Sequence, residues 1–311
     1  MVPFLCLLGA GSLLGLSTDP AKLAGDAGLS PLAFLTWSVV GATLLLTVVA
    51  AARRRLPTVN RRTVEYFVIA ALVSLAAPNL IFFSAVPNVG VSFVALAIAF
   101  PPLYTYLGAL ALKMERFDLR RASGVALALA GSAFIAALAL AEPDAPTLWI
   151  ILTLLGPVLL AVGNIYRTRR WPPGGTPDGL APGMLGAASV MLLLTGAIPG
   201  FSLAVPSGNR VALLLIAVQA AVFAGQYLLF FVLQQRGGPV YLSLLGSVAA
   251  VVGSAIAIVL LGEEPPRGLL VGGLVSAAGI ALIATGRRIT KPPADSHPRQ
   301  TFDTRSAGTD A

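Results

Sequence analysis

The sequence predicts an all-α polytopic membrane protein, with ten transmembrane helices forming two inverted five-helix repeats. Three observations predict it. The first is composition. Apolar residues make up 57% of the chain and charged residues 11%, with a mean hydropathy of +0.86. Soluble domains average about 25% charged residues. A soluble fold of 311 residues has no interior large enough for this much apolar surface, so the bilayer is the solvent. The second is an internal duplication. Glu115, Gly124 and Gly131 recur as Glu263, Gly272 and Gly279 at a constant shift of 148 residues. The same shift aligns Phe82-Phe83 with Phe230-Phe231, Gly90 with Gly238 and Leu96 with Leu244. The third is the placement of the basic residues, which follows from the segments.

Ten apolar segments run in order over residues 2–18, 30–52, 64–85, 88–112, 119–141, 147–168, 180–203, 210–234, 239–261 and 266–286. Each is long enough, or nearly so, to cross a hydrocarbon core of about 30 Å. Lipid offers no partners to open backbone groups, so each is expected to be helical. The first lacks a basic n-region and reads as a short membrane helix, not a cleaved signal peptide. Turn residues separate the segments: Asp19-Pro20, Pro57, Pro87-Asn88, Glu142-Pro143, Pro172 to Gly175, Pro206 to Gly208, Gly237 to Pro239 and Pro265-Pro266.

With the N-terminus inside, 18 of the 21 Lys and Arg fall on inner loops and the tail. Arg167, Arg169 and Arg170 are among those inner charges. Outside remain Lys22, Arg210 and Arg267. This asymmetry follows the positive-inside rule and puts both termini in the cytoplasm. It also accounts for the net charge of +8 without nucleic acid as a partner. Five helices per repeat is odd, so the second copy is inverted. Inverted repeats are a recurring build of transporters, with the site near the midplane. The domains are therefore 1–141 for the first repeat and 147–286 for the second. Residues 287–311 read as a disordered cytoplasmic tail.

Ten helices, the inverted duplication and an E-x8-G-x6-G string closing each half resemble the drug/metabolite transporter superfamily, in particular its EamA-like members. The resemblance spans residues 2–286. It implies a solute carrier or exporter in the bacterial cytoplasmic membrane, with a cavity lined mainly by helices 1, 3, 4, 6, 8 and 9. Two positions depart from the family pattern. In helix 2, Trp37 is followed by Ser38 where many members carry Arg, and helix 9 has Ala249 and Ala250 opposite the helix-4 prolines.

The candidate substrate-binding residues are neutral. Gln219 and Gln226 are seven apart in helix 8 and share a face, with Tyr227 beside the second. The repeat shift places Gln226-Tyr227 on Pro78-Asn79 of helix 3, so Asn79 is the inverted counterpart. Tyr104 in helix 4 and Trp37 in helix 2 complete the set. Amides, phenols and aromatic faces suit a solute with hydrogen-bonding groups and some apolar surface; the competing role is interhelical glue. Pro101 and Pro102 are expected to kink helix 4, as a hinge or a fixed bend. Gly124, Gly131, Gly272 and Gly279 read as close-packing faces. Glu115 and Glu263 each precede a helix and read as N-terminal caps. Asn164 and Tyr166 lie near the inner end of helix 6, as interfacial anchors or, less simply, as a gate.

No charged residue falls near the middle of a proposed helix, so coupling through a buried carboxylate is not expected. Cys6 stands alone and the sole histidine, His297, is in the tail, so neither metal nor cofactor is expected. No catalytic motif is present, and the protein does not read as an enzyme. The function expected is secondary transport of a small organic solute, most simply export of metabolites or drug-like compounds by alternating access. The competing class is a non-transporting scaffold or lipid-handling protein on a degenerate transporter fold. The expected partners are a small-molecule substrate and the lipid bilayer, with a homodimer left open.

Overall fold

The computed structural model describes residues 2–89, 94, 97–98, 100–138, 146–206, 208–249, 252 and 269–285. Helices dominate it: α1 (Val2–Leu16), α2 (Thr18–Asp26), α3 (Pro31–Ala52), α4 (Arg61–Ala71), α5 (Ala77–Val89), α6 (Pro101–Ala111), α7 (Leu119–Leu138), α8 (Thr147–Arg169), α9 (Pro177–Thr195), α10 (Arg210–Gly237), α11 (Pro239–Ser243) and α12 (Leu269–Thr285). Five spans among the described residues are long and apolar enough to cross a membrane: Pro31–Ala52, Arg61–Phe82, Thr147–Arg169, Pro177–Thr195 and Arg210–Gly237. At 1.5 Å per residue, α3 is about 33 Å long and α10 about 42 Å. Large apolar side chains cover the outer faces, among them Leu44, Val48, Leu214 and Leu274. The ninth and tenth apolar segments lie partly outside the described residues.

Local chemistry sets the helix starts. Ser30 caps α3 by accepting from the Ala33 amide (3.0 Å), with Pro31 in the first turn. Asn60 and Thr63 exchange side-chain and backbone bonds in a capping box at the start of α4. Asn209 caps α10 by accepting from Val211 and Ala212.

Four features differ from the segments drawn on the sequence. Residues 18–26 form a short helix where a turn was expected. The third span does not stop before Pro87-Asn88 but runs to Val89, where Asn88 Nδ2 donates back to the Ser84 carbonyl (3.0 Å). A π turn, Leu72–Ala76, joins α4 to α5. Among the described residues α6 starts at Pro101, with Pro101 and Pro102 in its first turn and Phe100, in α-region dihedrals, at its N-cap. Proline has no N–H to contribute, and the first helical turn is where that loss costs nothing.

The helices pair in a regular way. α1 lies on α10, α3 on both α9 and α10, and α4 on α9. The π turn and α5 lie on α8, α6 on α8 and α11, and α7 on α12. The two ends of the bundle are tied separately. At one end, Ser30 Oγ donates to the Ser202 carbonyl (2.7 Å) and Asn209 Nδ2 to the Ala27 carbonyl (3.0 Å). At the other, Arg53 and Arg55 pair with Asp178 at 3.2 and 3.0 Å, beside a recess between Arg55–Thr58 and Pro172–Gly179.

Two apolar clusters make up most of the core. One joins α3, α4, α9 and α10 through Val39, Phe67, Met184 and Phe231. The other joins α1, α6, α7, α10, α11 and α12 through Leu7, Tyr106, Leu242 and Ile283. Phe230 on α10 packs against both.

Candidate functional site

The most polar point of the interior lies under Phe230. Arg167 is on the last turn of α8, yet its side chain is fully buried. A helical side chain leans toward the N-terminus of its own helix, so Arg167 reaches back into the bundle and not out to the loop. Its Nε donates to Gln234 Oε1 on α10 (3.1 Å) and its Nη2 to Asn164 Oδ1 one turn earlier (2.8 Å). Nη1 donates to Ser74 Oγ in the π turn. The guanidinium carbon sits 4.7 Å from the centroid of the Phe230 ring, in cation–π geometry. Tyr66 and Tyr227 lie within electrostatic reach of the same charge.

The partners are themselves fixed. A guanidinium only donates, so both amides turn their oxygens to it and their nitrogens away. Asn164 Nδ2 then donates to Thr105 on α6 (3.3 Å), and Gln234 Nε2 donates to Thr168 (3.3 Å). Tyr66 stacks on Tyr166, with ring centroids 6.0 Å apart, and its buried hydroxyl has no partner among the described residues. One network thus ties α8 to α10, to α6 and to the π turn. A π turn widens the helix by one residue, places Ser74 against Gly163 of α8, and often marks functional sites.

Arg167 corrects the sequence reading, which counted it among the cytoplasmic loop charges. The charge asymmetry survives its removal. Asn164 is likewise no interfacial anchor but a buried partner of the arginine. The legible signal was spacing: Asn164 and Arg167 are three apart and share a helix face.

The sequence candidates fall in several places. Gln226 and Gln219 are both buried, and the carbonyl oxygen of each lacks a partner among the described residues. Tyr227 stands between Phe223 and Phe230, at centroid distances of 6.1 and 5.5 Å. Asn79 donates to the Leu75 carbonyl at the end of the π turn (2.6 Å). Tyr104 is half-buried and stacks on Phe100. Trp37 stands apart from the arginine network: its Nε1 donates to the Leu203 carbonyl (2.9 Å), tying α3 to the loop before α10. Gly124 and Gly279 face each other across the α7–α12 contact, while Gly131 and Gly272 are buried on the same two helices.

Glu115 is buried, and it does not cap a helix. It pairs with Arg121 at 2.6 Å, both side chains being almost inaccessible. Its repeat partner Glu263 lies outside the described residues, as do Gly253, Ser254, Pro266, Gly268 and the tail 287–311. Among the described residues no three His, Cys, Asp or Glu side chains converge as a metal site.

Fold and interior together define a multi-pass, all-α membrane protein with a charged network buried between its helices. Residues 2–137, somewhat under half of the chain, match the model of the EamA-like transporter family. A solved crystal structure of a protein 17% identical in sequence superposes with a TM-score of 0.73, covering 91% of this chain and 97% of that one. At that identity the likeness speaks for the fold. No curated protein matches the chain.

Proposed function

We propose that the protein is a secondary transporter that moves a small organic solute across the bacterial cytoplasmic membrane by alternating access. Export is the direction implied by the family resemblance. The observation that carries the reading is the Arg167 network, a buried charge in a membrane bundle. Ionisable residues held inside a membrane protein cost several kcal/mol in rough terms and mark solute pathways. The network draws on Ser74 and Thr105 from the first half of the chain, and on Asn164, Arg167 and Gln234 from the second. Contribution from both halves is in keeping with a transporter whose solute binds between two repeats.

The helix pairings support the inverted-repeat arrangement. Exchanging the halves turns the α1–α10 contact into the contact of α8 with the third span. It turns α3–α10 into α4–α9, and it maps α3–α9 and α7–α12 onto themselves. Both termini are placed inside by the basic loops. Thr58 and Gly174 line one recess, while Ala204 lies in the loop at the opposite end. Cysteines at Thr58 and Gly174 are expected to react with an impermeant reagent from the cytoplasmic side only, and one at Ala204 from outside. Thr58 and Ala204 labelling from the same side would overturn the topology. The functional test is solute flux in proteoliposomes of both orientations, where absence of any protein-dependent flux removes the transport reading.

A further inference from the structure

We infer that Arg167 is the recognition point for an anionic group on the solute, so that the substrate class is organic anions, carboxylates foremost, with an aromatic or apolar body. The inference rests on the transport reading above and names the chemistry of its site.

The argument begins with charge balance. Among the described residues no carboxylate lies within ion-pair distance of Arg167; the ion pairs present there are Arg53 and Arg55 with Asp178, and Arg121 with Glu115. The contrast with Arg121 is direct. That arginine is also buried, and it has its own glutamate at 2.6 Å. Arg167 is buried more deeply and has only neutral acceptors: a hydroxyl and two amide oxygens. Dipoles and the Phe230 ring orient the cation but leave its charge uncancelled. A buried cation without an anion is strongly unfavourable, and such a charge is held where a ligand completes it.

Donor count points the same way. A guanidinium carries five N–H groups. Three have acceptors, and two find none among the described residues. A carboxylate offers paired oxygens to such a planar donor set, which an amide or alcohol does not match. The surroundings then specify the body of the solute. Phe230, Tyr227 and Tyr66 supply aromatic faces beside the charge. The unpartnered oxygens of Gln226 and the Tyr66 hydroxyl add hydrogen-bonding positions that an apolar side chain would not offer.

The network also explains how binding couples to motion. Ser74, Thr105 and Gln234 belong to three different helices, and all are tied through Arg167 or its partner Asn164. An incoming carboxylate competes for the same guanidinium. Taking its N–H groups from Ser74 or Gln234 releases α8 from the π turn or from α10, and solute departure restores the ties.

The test uses the purified full-length protein and six probes at constant sodium chloride: benzoate, 3-phenylpropionate, benzenesulfonate, benzamide, 3-phenylpropionamide and benzylammonium. Binding is read as ligand-dependent thermal stabilisation in detergent, and transport as uptake of the same labelled compounds into proteoliposomes. The acids are expected to bind roughly tenfold tighter or better than their amides, with benzylammonium weakest. Arg167→Gln should bring the acid-to-amide ratio to about one, and Arg167→Lys should keep part of it. If Arg167→Gln does not fold, the acid-to-amide ratio of the parent protein decides alone, since a purely structural arginine gives no such preference. Amides or ammonium bound as tightly as acids, or a ratio unchanged in Arg167→Gln, would overturn the inference. If neutral or cationic members are carried and Arg167→Gln carries them equally well, transport stands and the anion site falls. If no member is bound or carried, the transport reading falls with it.

Discussion

Replacing Gly279 by alanine is the most exacting test of the packing described above. The α7–α12 contact is tight enough to be judged atom by atom. A Cβ on Gly279 would stand 2.5 Å from both the Ala128 amide nitrogen and the Gly124 carbonyl oxygen. From the other side, a Cβ on Gly124 would meet the Gly279 carbonyl oxygen at 2.7 Å and Ile283 Cγ1 at 2.6 Å. Ordinary contact begins near 3.4 Å, so one methyl group demands a separation of about 0.9 Å. The opposing atoms are backbone, and no rotamer change relieves them. Overpacking of this kind costs about 1–3 kcal/mol. Alanine in a helix interior returns about 1 kcal/mol over glycine. In lipid there is no hydrophobic drive to hold the helices together once dispersion contacts are lost. The net expectation is a destabilisation of up to about 2 kcal/mol. Gly186→Ala is the matched control, because its new methyl meets only Thr43 Cγ2 at 3.6 Å. Thermal unfolding of the purified protein should put Gly279→Ala below the parent and Gly186→Ala at or above it. Gly279→Leu should go further and lower the monodisperse yield. A Gly279→Ala protein as stable as the parent would refute the close approach of the two helices.

The buried Glu115–Arg121 pair gives a second prediction. Glu115→Gln leaves a buried guanidinium without its anion and should cost roughly 3–5 kcal/mol, seen as a lower melting temperature and folded yield; an unchanged melting curve would mean the pair is solvated. Gln226→Ala and Tyr227→Ala should weaken solute binding roughly three- to tenfold in protein that still runs monodisperse, and binding equal to the parent in both would reduce these residues to glue. Gln219→Leu replaces an amide whose oxygen already lacks a partner, so its stability in the same unfolding assay should hold or rise.

What could be read from the sequence was whatever depends on local chemistry or on the solvent. Composition alone required a lipid environment, and lipid required helices, so the all-α class and the spans over α3, α8 and α10 were legible to within a few residues, while the span over α9 was drawn to 203 and ends at Thr195. Capping signals such as Ser30-Pro31 lie within one turn of the bonds they make, and one turn of sequence contains the whole cause. The fixed offset of 148 residues between Glu115, Gly124, Gly131 and Glu263, Gly272, Gly279 is likewise a property of the sequence alone. Pro101 and Pro102 were visible in the sequence, but their place in the first turn of α6 was not: a proline pair bends a helix or begins one, and packing makes the choice.

The site depended on tertiary structure. Arg167 lies among arginines, and its neighbours in sequence place it in a cytoplasmic loop. Its burial is decided by Ser74, Gln234 and Phe230, which stand 93, 67 and 63 residues away along the chain. The π turn that brings Ser74 into reach has no sequence signature. The pairing of Glu115 was hidden for another reason: Arg121 is only six residues away, but the helix-flanking position of Glu115 looks like a cap, and packing instead turns its carboxylate to the buried guanidinium. Local chemistry is written into a few consecutive residues. The environment of a buried charge is set by distant parts of the chain, and only packing brings them together.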